Sequence, residues 1–319
     1  MASSQAKKGS VYIRTPEILA MCERLHVLKE KITESLRNLY GKFIENLKDQ
    51  DKSLQLITKF IAEFDLNYTK AYLAVKYNHV MPVIDNTNPE SFVEAKQLRH
   101  PLIENLNNNE TYVANDLELN NNQQGILLFG TNAVGKSSLI KAIGISVIMA
   151  QAGFFVSASS FRYNPYKNIF TRILGNDNLF KGLSTFAVEI LELKTILNGA
   201  DQNSLIIGDE VCSGTEVESA TSIIVASLRK LHERKSNFIF ATHYHEICDY
   251  EEVKKLDRMG IKHLSVRLNK KTNTLEYDRL LKNGQGDTFY GLTVAEGYKL
   301  PQDVLNDCLL YTSPSPRDT

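Results

Sequence analysis

The chain has 319 residues, of which 43% are hydrophobic, and its 37 basic residues balance its 37 acidic residues. This length suits roughly two domains, and a formal net charge of zero gives no compositional argument for nucleic-acid binding. The four cysteines are scattered and form no C-x-x-C pair, which argues against a zinc site or a disulfide framework. No signal peptide and no membrane-spanning apolar run is visible, so we expect a soluble intracellular protein.

The first part of the chain predicts a helical segment at residues 11–80. Residues 1–10 are small, polar and basic, and we expect them to be disordered. Thr15 is placed as a helix cap, and apolar residues at three- and four-residue steps predict a long helix over 17–47. A second helix is predicted at 54–77, and the short connection allows antiparallel packing at least in part. The length of the first helix favours a strut or lever.

From residue 81 to 308 the pattern changes to strands that alternate with helices. Strands are predicted at 91–96, 112–119, 125–129, 154–158, 204–210, 237–243, 263–268 and 274–280, and helices from the loop after 129 to about 152 and at 186–197, 216–233 and 302–309. Two wholly apolar strands predict a parallel α/β sheet, and two hairpin-like strands ahead of it predict an antiparallel edge. The last residues, 309–319, change composition abruptly and are expected to be a non-native or disordered tail.

The strongest motif lies between an apolar strand and an apolar helix. It is Gly-Thr-Asn-Ala-Val-Gly-Lys-Ser at 130–137, a G-x-x-x-x-G-K-[ST] phosphate loop in its required context. Its glycines let backbone N–H groups point at phosphate oxygens, and the helix dipole adds to the attraction. We expect Lys136 to approach the β and γ phosphates and the Ser137 hydroxyl to contact Mg²⁺. The predicted nucleotide-binding residues of the loop are Gly130, Thr131, Asn132, Ala133, Val134, Gly135, Lys136, Ser137 and Ser138.

Two further strand ends predict hydrolysis as well as binding. Asp209 and Glu210 follow an apolar strand, as in a Walker B element. We expect Asp209 to hold Mg²⁺ through water and Glu210 to polarise the attacking water as general base. His243 ends the next apolar strand, where it is expected to donate a hydrogen bond to the γ-phosphate. His245 is predicted to be an ordinary surface residue.

Together these stretches resemble the ATPase domain of the MutS family of DNA mismatch-repair proteins. The matching stretches are Arg-His-Pro at 99–101, Tyr-Val-Ala-Asn at 112–115, the loop at 130–138, Ile-Phe-Thr-Arg-Ile at 169–173, Leu-Ser-Thr-Phe-Ala-Val-Glu at 183–189, Asp-Glu-Val-Cys-Ser-Gly-Thr at 209–215, Phe-Ala-Thr-His-Tyr-His-Glu at 240–246 and Tyr-Gly-Leu-Thr-Val-Ala at 290–295. Their order and spacing also fit, and the resemblance covers about residues 11–307.

The resemblance implies an ABC-type P-loop ATPase with a mixed, mainly parallel sheet, which uses ATP and Mg²⁺. Tyr112 stands where the family has an aromatic residue that stacks on adenine, and Asn132 matches the family's P-loop asparagine. Ser184 begins the element that contacts ATP bound to the partner subunit. The helices at 17–77 match the returning half of the family's lever, which links the ATPase to a DNA clamp.

The resemblance also implies partners and places. The implied partners are a second copy of the chain or another MutS-type subunit, DNA bound through domains absent from this chain, and downstream repair factors. No association with a membrane is implied. The location would be cytoplasmic or nuclear, or mitochondrial or viral.

The chain departs from the family pattern at two places. It has Ala133 and Val134 where the family usually has Met-Gly, and Cys212 and Ser213 where it usually has Gly-Arg. These variants resemble the divergent branch found in large DNA viruses and some mitochondria. Because the arginine is missing, the resemblance does not tell which contacts form at the subunit interface there. Two alternatives also remain: an SMC-like ATPase of chromosome maintenance, and a MutS-like DNA scaffold without hydrolysis.

Overall fold

The structure is a computed structural model that describes residues 3–7, 10–106, 111–131, 134–173, 185–269, 274–286, 295–296 and 299–312. It divides into two compact units, Met1–Thr69 and Lys70–Thr319. The division lies inside the second long helix, ahead of the boundary at 80/81 that the sequence suggested.

The first unit contains a strand pair and most of two helices. Strands β1 (Ser3–Lys7) and β2 (Ser10–Arg14) pair antiparallel. The expectation of disorder over 1–10 is therefore wrong for the described residues 3–7, because their backbone groups have strand partners. Helix α1 (Pro16–Lys48) follows, with Ile18 N donating to the Thr15 hydroxyl at 3.2 Å, as predicted for a cap.

Helix α2 (Asp51–Tyr77) follows α1 after two residues. Both helices are described throughout, and neither contains a buried residue, so the antiparallel packing that the short connection allows is not seen. Asp49 keeps right-handed helical dihedral angles (φ −68°, ψ −22°), which do not reverse the chain direction. Large apolar side chains on both helices remain exposed; Leu36 is 62% and Phe60 is 67% exposed.

The second unit alternates strands and helices. Its elements are β3 (Val83–Ile84), β4 (Phe92–Leu98), α3 (Ile103–Leu106), β5 (Asn115–Leu119), β6 (Gly125–Phe129), α4 (Lys136–Gln151), β7 (Ser160–Asn164), β8 (Asn168–Arg172), α5 (Thr185–Gly199), β9 (Ser204–Asp209), α6 (Val217–Glu233), β10 (Asn237–Ala241), a 3-10 helix (His245–Asp249), α7 (Glu251–Lys254), β11 (Met259–Leu264), β12 (Arg267–Asn269), β13 (Thr274–Glu276), β14 (Leu281–Asn283) and α8 (Gln302–Thr312). Among the described residues, no helix combines the length and the apolar character needed to cross a membrane.

Two sheets organise this unit. The larger has the order β14-β11-β6-β10-β9-β8, in which neighbouring strands are parallel except for β14. The smaller has the order β3-β7-β4-β5 and is antiparallel apart from the β3–β7 pair. The prediction of an α/β P-loop fold with a mixed, mainly parallel sheet is confirmed.

Strands β7 and β8 lie between 158 and 186, where the sequence patterns predicted neither a strand nor a helix. The strand predicted at 154–158 is reduced to one bridge between Val80 and Val156. Instead, β7 pairs with β4 and β8 lies at the edge of the large sheet beside β9. Short, partly polar strands of this kind are stabilised by pairing with distant chain, which local sequence patterns do not reveal.

The core has two parts, one on each face of the large sheet. On one face, Ile126 and Leu128 of β6 join a cluster with α4 and the smaller sheet. On the other face, Leu127 and Phe129 join a cluster with α5, α6 and α7. Successive residues of β6 thus point to opposite apolar layers, which is why this strand is apolar throughout. The core holds the strand ends that carry the predicted site.

Candidate nucleotide-binding site

Three central strands converge at one edge of the large sheet. Strand β10 lies between β6 and β9 and is parallel to both. The carboxyl ends of the three strands therefore lie side by side. The phosphate loop follows β6, Asp209 ends β9 with Glu210 next to it, and His243 comes two residues after β10. Ligands of open α/β sheets bind at this edge.

Two glycines shape the phosphate loop. Gly130 has φ +149° and Gly135 has φ +110°, in the region that side chains other than glycine rarely adopt. Gly135 is also the N-cap residue of α4, so the loop leads directly into the positive end of a helix. A Cβ at Gly130 would lie 2.8 Å from Cγ1 of Val134. The Val134 side chain therefore packs directly against the Gly130 backbone, where another side chain would not fit.

Val134 is a core residue, fully buried in the cluster under the loop. Its side chain takes the space next to Gly130, which gives a packing reason for a branched apolar residue at this variant position. Asn132 and Ala133 lie outside the described residues. Ser137 and Ser138 lie half-buried in the first turn of α4.

The Lys136 ammonium group lies inside the site. Nζ donates to the carbonyl oxygens of Gly130 (2.6 Å) and Thr131 (3.2 Å) and lies 3.2 Å from Nε2 of His243. Burial lowers the pKa of Lys136, while the carboxylates of Glu210 and Asp209 act in the opposite direction. The site thus holds a cation beside two carboxyl groups.

Asp209 and Glu210 have different surroundings. Asp209 is buried, and its Oδ1 has no hydrogen-bond partner within the described part of the chain. Glu210 has φ +51°, a left-handed conformation that is unusual for glutamate and typical of strained functional positions. Its N–H donates to the Ala241 carbonyl at 3.0 Å, which fixes the turn against β10. The carboxylate Oε1 lies 2.8 Å from His243 Nε2.

His243 therefore lies between the other two functional groups. The same ring nitrogen, Nε2, is within hydrogen-bond distance of the Lys136 ammonium and the Glu210 carboxylate. A ring nitrogen that carries a proton donates to the carboxylate, and one without a proton accepts from the ammonium. The proton position on His243 therefore selects which neighbour it binds.

His245 differs from the sequence prediction. It is half-buried, and its ring stacks on Phe129 at the end of β6, with 4.7 Å between ring centroids. Burial lowers its pKa. Because Phe129 covers its ring, His245 is not an ordinary surface residue; it begins the 3-10 helix that follows β10.

The variant positions after Glu210 also have defined places. Cys212 is buried with φ +62°, a conformation that suits the glycine usual in the family. Burial, together with the nearby Glu189 carboxylate, raises the pKa of its thiol to about 11, so the thiol stays neutral. Ser213, at the position of the family arginine, is exposed. No positive charge replaces that arginine at this position.

A pocket of roughly 190 Å³ opens beside the loop. Tyr112, Val113, Ser138, Leu264 and Arg279 are among its lining residues. Burial, with repulsion from the Glu104 carboxylate, raises the pKa of Tyr112 to about 12. The phenol ring therefore stays neutral and offers a flat surface of the kind on which a base stacks.

Sequence patterns alone did not single out Arg279 as part of this pocket. It enters from a segment far along the chain, with no motif around it. Ser184 lies outside the described residues, and the structure resumes at Thr185 with α5.

The residues present fit a nucleoside triphosphate with Mg²⁺. Asp209 Oδ1 and Thr131 Oγ1 are buried without a partner among the described residues, so each can bind a further group. No cluster of three or more histidine, cysteine or acidic side chains able to hold a metal occurs in that part of the chain. Mg²⁺ commonly uses only one or two carboxylates and completes its shell with phosphate oxygens and water, as Asp209 and Ser137 would allow.

The fold and the site define a P-loop ATPase-type domain. The sequence model of MutS domain V matches residues 126–312. A mitochondrial DNA mismatch repair protein mutS homolog of Sarcophyton glaucum is 38% identical over 96% of the chain, and a putative DNA mismatch repair protein mutS homolog of Acanthamoeba polyphaga mimivirus is 36% identical over 91%. The DNA mismatch repair protein MutS of Caldanaerobacter subterraneus is 32% identical over 91% of the chain.

The chain belongs to the MutS family. The expected likeness to mitochondrial and viral members is confirmed, since relatives of both kinds are 38% and 36% identical to the chain over the aligned residues. The chain spans 29–33% of the length of these three relatives. Among the alternatives, the match favours the MutS-type ATPase over an SMC-like one.

Proposed function

We propose that this chain is the ATP-hydrolysing dimerisation module of a MutS-type DNA mismatch-repair protein. The observation that carries the proposal is the chain of contacts from Lys136 through His243 to Glu210, beside Asp209 Oδ1, which has no hydrogen-bond partner among the described residues. A non-hydrolysing scaffold has no need of such a set. We assign binding of the triphosphate to the loop, with Lys136 at the β and γ phosphates and Tyr112 against adenine.

The proposed reaction is attack of water on the γ-phosphorus of ATP, which breaks the bond to the oxygen bridging to the β-phosphate and releases ADP and inorganic phosphate. Mg²⁺ would neutralise phosphate charge when bound, held by the Ser137 hydroxyl and by Asp209 through water. Glu210 takes the proton of the attacking water, and its placement next to the loop in a constrained backbone conformation supports this role. His243 gives a hydrogen bond to a γ-phosphate oxygen. Its position between Lys136 and Glu210 lets it exchange partners when the charge nearby changes.

We further propose that the working unit is a dimer, formed with a second copy or with another MutS-type subunit. Ser184 would contact ATP held by the partner, and α5, which begins at the next residue, would position it. Helices α1 and α2 would transmit the nucleotide state to a DNA clamp. Their many exposed apolar side chains support a role in contact with other chain segments. DNA would be bound through other domains of the whole protein, and downstream repair factors would be further partners.

The relatives' names support a role in mismatch repair inside a cell, an organelle or a virus-infected cell. The test is Mg²⁺-dependent ATP hydrolysis by this chain, followed together with its mass by light scattering. We expect ATP to convert monomers to dimers and ADP to release them. A chain that hydrolyses ATP at the same specific rate when diluted well below its dimerisation range would contradict the shared site. A chain that binds no ATP would contradict the proposal as a whole.

A further inference from the structure

The pocket beside the loop has two walls that come from distant parts of the chain. One wall is formed by Tyr112 and Val113, just before β5. The other includes Arg279, just before β14. Strands β5 and β14 belong to different sheets. The separation of the walls therefore depends on a contact that joins the two sheets at this point.

A single side-chain amide makes such a contact. Asn115 Nδ2 donates to the Arg279 carbonyl at 2.9 Å and to the Val113 carbonyl at 3.3 Å, and Asn115 Oδ1 accepts from Leu281 N at 2.7 Å. Asn115 is 7% exposed. Both amide hydrogens are therefore used on backbone carbonyls, one on each wall, and the side chain acts on the pocket through its walls.

The Arg279 wall needs such support. Arg279 has φ +56°, a left-handed conformation that is unfavourable for a residue with a side chain. The hydrogen bonds that hold the turn include Arg279 N to the Ser265 carbonyl at 3.1 Å, Ser265 N to the Leu280 carbonyl at 2.9 Å, Asn115 Nδ2 to the Arg279 carbonyl, and Leu281 N to Asn115 Oδ1. A strained backbone persists where its surroundings determine it in this way.

We propose that Asn115 is a positioning residue for the nucleotide base: its amide fixes the distance between the Tyr112 wall and the Arg279 wall. This inference rests on the proposed function, since the base is that of the bound ATP. The phosphates are held separately, at the N-terminus of α4 and by Lys136, whose bonds go to Gly130 and Thr131. Loss of the amide donor should therefore weaken recognition of the base and leave recognition of the phosphates unchanged.

The test is Asn115→Asp, which keeps the size and the acceptor but removes both donors. We expect the KM for ATP to rise about tenfold, with kcat at saturating ATP and the inhibition constant of inorganic tripolyphosphate both within about twofold of the unsubstituted chain. A partly unfolded sample would instead lower kcat and leave KM unchanged. The matched control is Asn164→Asp in β7, whose amide also donates to two backbone carbonyls, those of Asn88 and Glu90, but touches no pocket wall. It should change neither KM nor kcat.

An unchanged KM in Asn115→Asp, or a KM and a tripolyphosphate constant that rise together, would overturn the inference. If Asn115→Asp does not fold, Asn115→Ser, which is too short to reach the Arg279 carbonyl, is measured in the same way. Failure of both variants to fold would also overturn it, since the amide would then serve the whole domain. If the unsubstituted chain does not hydrolyse ATP, the proposed function fails first and the inference fails with it.

Discussion

Glu210 and His243 follow different strands of the large sheet, yet Oε1 of Glu210 lies 2.8 Å from Nε2 of His243. The contact forms because β9 and β10 are adjacent and parallel, with Asp209 in register with Ala241. It brings the proposed general base and the proposed phosphate sensor within one hydrogen bond of each other. Both groups are partly exposed, with side chains 28% and 39% accessible, so water can reach them.

The first prediction concerns the base. Glu210→Gln should keep ATP binding and reduce the rate of hydrolysis by about 100-fold or more, since a general base contributes roughly 10² to 10⁴ in rate. ATP should then hold the dimer together, because the step that ends the ATP-bound state is slowed. The measurements are phosphate release in single turnover and mass by light scattering.

Glu218→Gln is the control for Glu210→Gln, because Glu218 is an exposed acidic residue in the first turn of α6. It should hydrolyse ATP at the original rate. Phosphate release by Glu210→Gln at the rate of the unsubstituted chain would refute the assignment of the base.

The second prediction concerns a buried ion pair beneath α5. Arg172 Nη2 lies 2.7 Å from Glu189 Oε1, and their side chains are 8% and 0% exposed. Arg172→Ala leaves the Glu189 carboxylate buried without its partner, so the free energy of unfolding should fall by about 3–5 kcal/mol. Because α5 leads back to Ser184, ATP-dependent dimerisation should weaken as well.

Chemical denaturation measures the effect of Arg172→Ala. Lys230→Ala is the comparison, since Lys230 and Glu233 form an exposed pair on α6, with both side chains 51% accessible. That substitution should change stability by no more than about 1 kcal/mol. If the two substitutions lowered the free energy of unfolding equally, the buried pair would contribute no more to stability than the exposed pair.

The third prediction concerns pH and the end of α2. Glu104 accepts hydrogen bonds from Arg99 Nε (2.6 Å) and the Ser157 hydroxyl (2.6 Å), and it lies 3.6 Å from His79 Nε2. Arg99 also donates to the carbonyls of Tyr77 and Asn78, so the network joins the C-terminus of α2 to the strand β4 region. Burial raises the pKa of Glu104, but the bonds from His79, Ser157 and Arg99 outweigh it and lower the pKa below 4.5.

The unfolded state therefore binds the proton of Glu104 more readily than the folded state does. The stability that this carboxylate contributes is present above pH 4.5 and is lost as pH falls through the lowered folded pKa. Glu104→Gln should flatten the loss of unfolding free energy over that range, compared with the unsubstituted chain. Glu233→Gln, a change at an exposed glutamate, controls for net charge. If the free energy of unfolding fell with pH in the same way in Glu104→Gln and in the unsubstituted chain, the proposed contribution of the Glu104 network would be contradicted.

The fourth prediction compares two glycines. A Cβ at Gly125 would lie 2.1 Å from Cζ of the buried Phe238 ring, whereas a Cβ at Gly41 of α1 would meet nothing within 4 Å. Gly125→Ala should therefore destabilise the fold by about 1–3 kcal/mol or more through overpacking. Gly41→Ala should stabilise α1 by roughly 0.5–1 kcal/mol, because alanine restricts the unfolded chain and favours the helix. Thermal unfolding followed by circular dichroism measures both, and opposite signs are expected.

Much of the site could be predicted from local patterns. The phosphate loop, Asp209, Glu210 and His243 each follow an apolar strand, and parallel strands place their carboxyl ends at one edge. Tyr112 came from a matched motif, and the structure puts it in the pocket beside the loop. Their catalytic and binding roles stay predictions until the variants are measured.

Other features could not be predicted in this way. The pairing of β7 and β8, the packing of His245 on Phe129 and the burial of Val134 under Gly130 all depend on contacts with chain remote in sequence. The antiparallel packing of α1 on α2 that the short connection allowed is not seen; amphipathic periodicity shows that a helix has an apolar face but not what covers it.

The amino-acid sequence by itself determined the class of fold, the order of the chemical groups along the chain and the family to which the chain belongs. The effects of loop glycines, strand composition and cap residues extend over only a few neighbouring residues. They can therefore be recognised in short stretches of the sequence. Only the tertiary structure decided that β10 lies between β6 and β9, which puts His243 between Lys136 and Glu210. It likewise decided that Asn115 joins two pocket walls from segments more than 160 residues apart, because strand order and side-chain packing arise from the summed burial of the whole core.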